Sequence, residues 1–382
     1  MLKRKYAGVL AAVAVASLAF GAGAPSSQAA ASKVSQTVRM YISGDTNIQD
    51  LWVKNLVPAF KLAYPGYDVV VTFDLHGEHD AQQTAKMTAA SVLHKDSGVD
   101  LFEGGFATQL GLAGLLWHPT PGLLPNLKDV GKSVLAAGKG GIPYRASSVL
   151  LAYNSTTVKT PPKTLDELLA WIKANPGKFT YNAPNGGGSG YAFVQTVVDK
   201  FLTAKERNTL VQTVNKPLQT KWAAGLEVLR GLNKFTYGQN GTYPANNAET
   251  LKDIATGLVD MASVWSDQFA SGVKAGTIPA NIKVTQISGP AFTGGAAYLG
   301  IPSSSQNRTA ARLLANWLLT PAAQNIIVSG ILNGMPVIPV SKLDPVVAAS
   351  LADVDVSDLR PTYLSANSND LKSAWASTVP GK

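Results

Sequence analysis

An α/β protein with mostly parallel sheets covered by helices on both faces is predicted for this chain, from three observations. Short apolar strands alternate with amphipathic helices over most of its length, and 382 residues suffice for two domains. A Pro- and Gly-marked break near Pro143 divides the alternation into two runs. With 46% hydrophobic and 15% charged residues, the chain can bury a large core, which excludes a disordered polymer.

The first 31 residues read as a secretory signal. Lys3, Arg4 and Lys5 form the basic start, residues 7–20 the apolar stretch, and Ser27-Gln28-Ala29 a small-residue cleavage pattern, with cleavage expected near Ala29 to Ala31. The apolar run is shorter than the about 20 residues of a membrane span and breaks at Gly21, Gly23 and Pro25, so an exported protein is expected, not an anchored one. Without those three basic residues the net charge falls from +9 to +6. The remaining Lys and Arg are scattered, which gives no support to a nucleic-acid partner. Zero cysteines exclude disulfides, thiolate metal sites, a cysteine nucleophile and a lipid-anchoring cysteine.

Residues 36–43 alternate at period two, and 69–75 and 99–102 are short apolar strands. Between them, residues 48–63 place Leu51, Trp52, Leu56 and Phe60 on one helical face, and residues 81–93 are also amphipathic. In the second run, 147–153 is a strand. Pro161-Pro162 then leads into a helix with Thr164 as N-cap and Glu167 at N3. Residues 178–181, 258–264 and 282–287 read as strands, and 221–232 and 248–256 as helices. The glycine-rich stretch 185–190 precedes a helix expected from Tyr191. From Gly294 come a further strand, a helix over 309–319 and a shorter one after Pro321. In such sheets ligands sit beyond the carboxyl ends of the strands, so the strand-to-helix loops are where function is sought.

Several motifs fail on inspection. Gly131-Lys132-Ser133 has Asn126 where a phosphate loop needs glycine. Gly188-Ser189-Gly190 has Tyr191 where a nucleophile elbow needs its second glycine, and no histidine lies downstream. The glycine run is read as a turn whose helix N–H groups could face a ligand, or as a plain surface loop. Asp74, His76, Glu78, His79 and Asp80 form the densest set of potential metal ligands, but without zincin spacing; helix capping, or contact with a solute, accounts for them, and no metal is expected. Trp265-Ser266-Asp267 follows a strand, where an indole beside a carboxylate can hold a flat or cationic group, or can be core and cap.

Taken in order, Gly141-Ile142-Pro143-Tyr144, Leu151-Ala152-Tyr153-Asn154, residues 164–168, residues 257–262, residues 294–302 and residues 318–324 resemble the extracellular solute-binding proteins of ABC importers. The likeness is to the two-lobed type II periplasmic binding proteins, near the thiamine, polyamine and ferric-iron branch, and runs over about residues 36–340. It implies two lobes, each a mixed, mostly parallel sheet flanked by helices, joined by a two-strand hinge: lobe 1 from 33–146 and 290–382, lobe 2 from 147–289. It also implies a ligand cleft lined by Ser43, Gly44, Asp45, Gly77, Glu78, Glu103 and Gly104. The hinge and second lobe would add Tyr144, Arg145, Ser189, Gly190, Tyr191, Trp265 and Asp267. The implied activity is capture of a small solute and its delivery to a membrane permease, without catalysis or cofactor. A monomer, periplasmic or extracellular, is expected. The adjacent tyrosines of the ferric members are absent, and the acidic and aromatic candidates suggest an organic cation such as thiamine or a polyamine. An exported hydrolase using two carboxylates as acid and base is the competing expectation.

Overall fold

In the computed structural model the described residues are 36–330, 334–351 and 360–380. The expected signal segment lies outside them. The first half opens with β1 (Thr37–Gly44), a short helix α1 (Thr46–Asp50), β2 (Asp68–Leu75), α2 (Asp80–Val92) and β3 (Leu101–Glu103). β1 pairs in parallel with β2 and with β3. The helix expected over 48–63 is present as three contiguous pieces, with a π-helical Leu51–Leu56 between α1 and Val57–Ala63. Pro58 explains the widened turn: it has no N–H for the preceding turn, and its ring crowds the carbonyl four residues back.

β4 (Ile142–Asn154) is the element that joins the two halves. Its first part pairs antiparallel with β8 (Gly294–Gly300), from Ile142 opposite Leu299 to Ser148 opposite Gly294. From Val149 onward it pairs antiparallel with β6 (Met261–Trp265) and β7 (Ile282–Thr285). β8 returns to β3, and β5 (Phe179–Thr180) lies parallel to β6, giving the strand order β2-β1-β3-β8-β4-β6-β5 with β7 on β4. The sheet is thus mixed. Its outer pairings are parallel, and every pairing of the two crossing strands is antiparallel because β4 and β8 run in opposite directions between the halves.

Three of the helices of the second half carry residues of the candidate site. The helix Leu165–Ala174 is capped as expected, with the Thr164 hydroxyl accepting from Glu167 N. α3 (Gly188–Asp199) starts three residues before the expected Tyr191, and α4 (Asn247–Ala255) and α5 (Ser266–Lys274) follow. In the return to the first half come Arg308–Leu318 and Pro321–Ser329, and α6 (Ser365–Thr378) ends the described chain.

Two hydrophobic cores match the two halves. One gathers Val38, Ile42, Trp52, Phe60, Leu101, Leu299, Leu314 and Ile327. The other gathers Leu151, Leu168, Phe179, Phe193, Leu229, Met261 and Phe292. The expected assignment of 290–382 to lobe 1 does not describe α6. Tyr363, Leu371, Trp375 and Val379 belong to the second core, and Trp375 Nε1 donates to Tyr181 Oη at 3.4 Å. The Asn233 side chain also donates to the carbonyl of Val379 at 2.6 Å. The reason is in the residues: only Leu371, Ala374 and Trp375 make an apolar stripe on α6, and that stripe fits the aromatic group of Tyr181 and Tyr243.

Trp375→Ala is therefore expected to destabilise the protein by about 3–5 kcal/mol, as truncation of a buried tryptophan does. Urea unfolding followed by circular dichroism measures it. A loss below about 1 kcal/mol would show that α6 is not part of the second core.

Candidate functional site

The carboxyl ends of β1 and β3 meet the starts of α4 and α5, through Asp45 with Asn247 and Gln268 and through Glu103 with Arg145 and Asp267. Asp45 sits between β1 and α1. Its backbone carbonyl accepts from Ile48 N and Gln49 N, but its side chain does not cap the helix. The carboxylate instead reaches the other half: Oδ2 accepts from Asn247 Nδ2 at 3.0 Å and from Gln268 Nε2 at 2.9 Å, while Oδ1 lies 2.8 Å from His76 Nδ1. Next to this contact a cavity of ≈ 400 Å³ opens between α1, α4 and α5, lined among others by Asn47, Leu251, Gln268 and Ile278. Both polar atoms of the Asn47 amide are buried there without a hydrogen-bond partner.

His76 and Gly77 form a left-handed turn at the end of β2, with φ of 62° and 71°. A Cβ on Gly77 would lie 2.7 Å from Asp80 Oδ2, so the turn needs glycine twice over. This turn disperses the cluster considered for metal. His76 faces Asp45, whereas His79 Nδ1 lies 2.9 Å from Asp74 Oδ1, and Glu78 is exposed. Asp74 also accepts from Tyr41 Oη at 2.6 Å and from His79 N at 2.7 Å. Burial alone would raise the Asp74 carboxyl, but the bonds from His79 and Tyr41 hold it below its usual value. Among the described residues no group of three or more His, Asp or Glu side chains converges as a metal site would require.

A second constellation lies beneath, at the hinge. Glu103, 3% exposed at the end of β3, accepts from Trp52 Nε1 at 2.9 Å, from Tyr144 Oη at 2.5 Å and from Arg145 Nη2 at 2.8 Å. Arg145 Nε donates to Tyr144 Oη at 2.8 Å, and its Nη1 is 3.6 Å from Asp267 Oδ2. Asp267 Oδ1 accepts from Ser147 Oγ at 2.8 Å. One guanidinium on the crossing strand thus holds a carboxylate from each half. Burial works against the Arg145 charge, yet Tyr144, Glu103 and Asp267 outweigh it and keep the group protonated. Burial pushes the Tyr144 hydroxyl well above its ordinary value. It also pushes the Asp267 carboxyl up, against the opposing pull of Arg145 and Ser147.

The glycine-rich turn has a different role from the ligand-facing one considered for it. Gly190 N donates to Asn182 Oδ1 at 2.9 Å, and Ser189 N to Asn247 Oδ1 at 3.1 Å. The Ser189 hydroxyl is fully buried within reach of both asparagines. Two N–H groups at the start of α3 are therefore capped internally, as helix ends require. The glycines serve close approach: a Cβ on Gly190 would lie 1.8 Å from Asn182 O, and one on Gly188 2.6 Å from the Trp265 ring. Trp265 is half-buried over that turn. Tyr191 is buried, with its hydroxyl 2.8 Å from Ser368 Oγ of α6.

The fourteen sequence candidates accordingly separate. Glu103, Tyr144, Arg145 and Asp267 converge at the hinge, Asp45 meets the second half directly, and Ser189 and Gly190 shape the capped turn. Ser43 and Gly44 close β1, with Gly44 against Ile48, and Gly104 sits against Phe106. Sequence reasoning missed Trp52, Ser147, Asn182, Asn247 and Gln268. Four of them sit singly on otherwise ordinary helices or strands and Asn182 in the loop after β5, with no motif around any of them.

The family of bacterial extracellular solute-binding proteins matches residues 55–353 of the chain. No curated protein sequence matches it. Among solved structures, maltose-bound MalE3 of T. maritima is similar at 15% identity and a TM-score of 0.68, over 89% of this chain and 93% of that one. The apo ferric ion-binding protein A of Pasteurella haemolytica is similar at 13% identity and a TM-score of 0.66, over 90% and 96%. The fructose-6-phosphate-bound periplasmic protein AfuA of Actinobacillus pleuropneumoniae is similar at 14% and 0.64, over 90% and 98%.

Because the Asp267 carboxyl is held above its unfolded value, ionising it costs the folded state more than the unfolded chain as pH rises from about 4. Asp267→Asn, which keeps an acceptor for Ser147, is expected to gain stability relative to the parent between pH 4 and neutrality. Urea midpoints of both proteins across that range measure the difference. A pH-independent difference would mean that the carboxyl is not desolvated.

Proposed function

Because the chain belongs to the bacterial extracellular solute-binding proteins, we propose that it captures a small organic solute between its two halves and passes it unaltered to the membrane permease of an ABC importer. The observation that carries this reading is the Asp45 carboxylate, which meets Asn247 and Gln268 of the opposite half at the carboxyl ends of the strands. A ligand in that position would be bound by groups that come together only when the halves close, which is how a solute shifts such an equilibrium. β4 and β8 would be the hinge, with the bend where β4 exchanges β8 for β6.

Charge favours a solute with a cationic group, such as thiamine or a polyamine. Asp45, Asp74, Glu78, Asp80, Glu103 and Asp267 lie along this line, against Arg145, which Glu103 and Asp267 already hold. Trp265, half-buried at the start of α5, offers an aromatic face to such a group. One of the similar structures is bound to maltose, one to fructose-6-phosphate and one is an apo ferric ion-binding protein, so their likeness concerns the fold and leaves the solute to this chain's own side chains. An exported hydrolase is disfavoured by the arrangement of Glu103 and Asp267. Both are turned to one arginine, whereas acid and base would flank a substrate.

A thermal-shift screen of organic cations, sugars, amino acids and oxyanions tests this reading. One class is expected to raise Tm without being consumed; at a hundred times Kd the added stability is about 2.7 kcal/mol. Trp265→Ala is expected to abolish that rise while the solute-free protein still unfolds cooperatively. Formation of a product from the stabilising compound would overturn the proposal.

A further inference from the structure

Most bonded lysines of this protein pair within one half: Lys54 with Asp50, Lys61 with Asp68 and Lys342 with Asp129 in the first, Lys200 with Asp166 and Lys216 with Asp370 in the second. Among the described residues two reach across. Lys139 Nζ donates to Gln212 Oε1 at 2.6 Å beside the crossing strands, in a crevice that both residues line with Gly294 and Gly295 of β8. Lys274 Nζ, at the end of α5, donates to two backbone carbonyls of the first half, Ser329 O at 2.9 Å and Gly330 O at 2.8 Å. These carbonyls end the helix Pro321–Ser329, whose Ala323 and Ile327 are buried in the first core.

The last carbonyls of a helix have no partner within it and carry the negative end of its dipole, so an ammonium is a fitting cap. Here the cation comes from the opposite half. α5 starts at the crossing, where Ser266 Oγ accepts from Ser148 N of β4 at 3.2 Å. Lys274 stands at the far end of that helix, about 12 Å away at 1.5 Å per residue. A rotation about the crossing therefore displaces Lys274 much more than Ser266. Between the two, Gln268 meets Asp45 at 2.9 Å, and the cavity of ≈ 400 Å³ runs along the same helix, against Ser271, Gly272 and Ala275 just after it. α5 is thereby tied to the first half near its start and at its end, with the cavity alongside.

We propose that Lys274 is a positioning residue for closure: its ammonium caps the helix Pro321–Ser329 only while the halves are together, and so latches the closed form without touching the solute. The proposal deepens the solute-binding reading and rests on it for what closure serves. The acceptors carry no net charge. A carboxylate in their place would add the attraction of opposite charges and bias the halves towards staying shut, whereas a water-exposed ammonium on two carbonyls shifts the balance by a modest factor and leaves the decision to the solute. The affinity of any solute that holds the halves closed is scaled by the population of that form, so the latch acts on every such solute alike.

The test needs no solute. Val92→Cys on the first half and Val214→Cys on the second, both exposed, carry spin labels, and pulsed electron resonance reads the distances between the halves in the solute-free full chain. Lys274→Met is expected to reduce the short-distance population at least threefold. Lys274→Glu should reduce it further, because a carboxylate repels the same carbonyls, and Lys274→Arg, which can donate to both, should keep most of it. Urea midpoints are expected to stay close to the parent's, since Lys274 is exposed. Distances that do not follow the charge at position 274, or a lowered urea midpoint without any change in distance, overturn the proposal. The solute-binding reading has its own result: it stands if an organic cation, sugar, amino acid or oxyanion of the screen shortens the parent's distances and falls if none does, whatever the variants at 274 show.

Discussion

A buried guanidinium must be paired, and in this protein the pairing of Arg145 is what ties two independent cores into one working unit. It stands on the strand that crosses between the halves, bonded to Glu103 from one and facing Asp267 from the other. Removing Glu103, the closer partner, would be strongly unfavourable, because a buried guanidinium left without a hydrogen-bonded carboxylate has no water to turn to. Tyr144, Trp52 and Ser147 complete the set by satisfying the lone pairs that the arginine leaves open. The crossing between the halves is therefore fixed chemically as well as by its ladder of backbone hydrogen bonds.

The surface contacts between the halves have a different character. Asp45 bonds to two side-chain amides, neutral donors that water or a ligand can replace at modest cost, since a single such bond contributes about 1 kcal/mol net. α6 adds a loose hydroxyl contact between Ser365 and Thr108. A strong buried network at the hinge with weak, exchangeable contacts at the mouth is the combination that a clamp requires.

Much of the fold was legible because it is written in repeating patterns. The period-two apolar residues of β1 and the capping pair Thr164 and Glu167 each have a local physical cause and reappear in the structure, whereas Pro143, read as a break, lies inside β4. The site was less legible. Glu103, Arg145 and Asp267 were named individually, but nothing in their spacing says that they share one network, since that depends on the crossing of β4. The glycines at 186–190 suggested a place for a ligand, whereas Asn182 and Asn247 take the N–H groups, and asparagine at a distance leaves no trace in a linear pattern. α6 was missed as a wall of the second core because a stripe as short as Leu371, Ala374 and Trp375 is shared by many surface helices.

The central claim is that the halves close around a solute, and the distance between them measures it most directly. With no native cysteine, Val92→Cys on the first half and Val214→Cys on the second, both exposed, give a unique pair for spin labels. Pulsed electron resonance should then show a broad distance distribution without solute that narrows to a single shorter distance on saturation. A distribution unchanged by a solute that demonstrably binds would contradict the account.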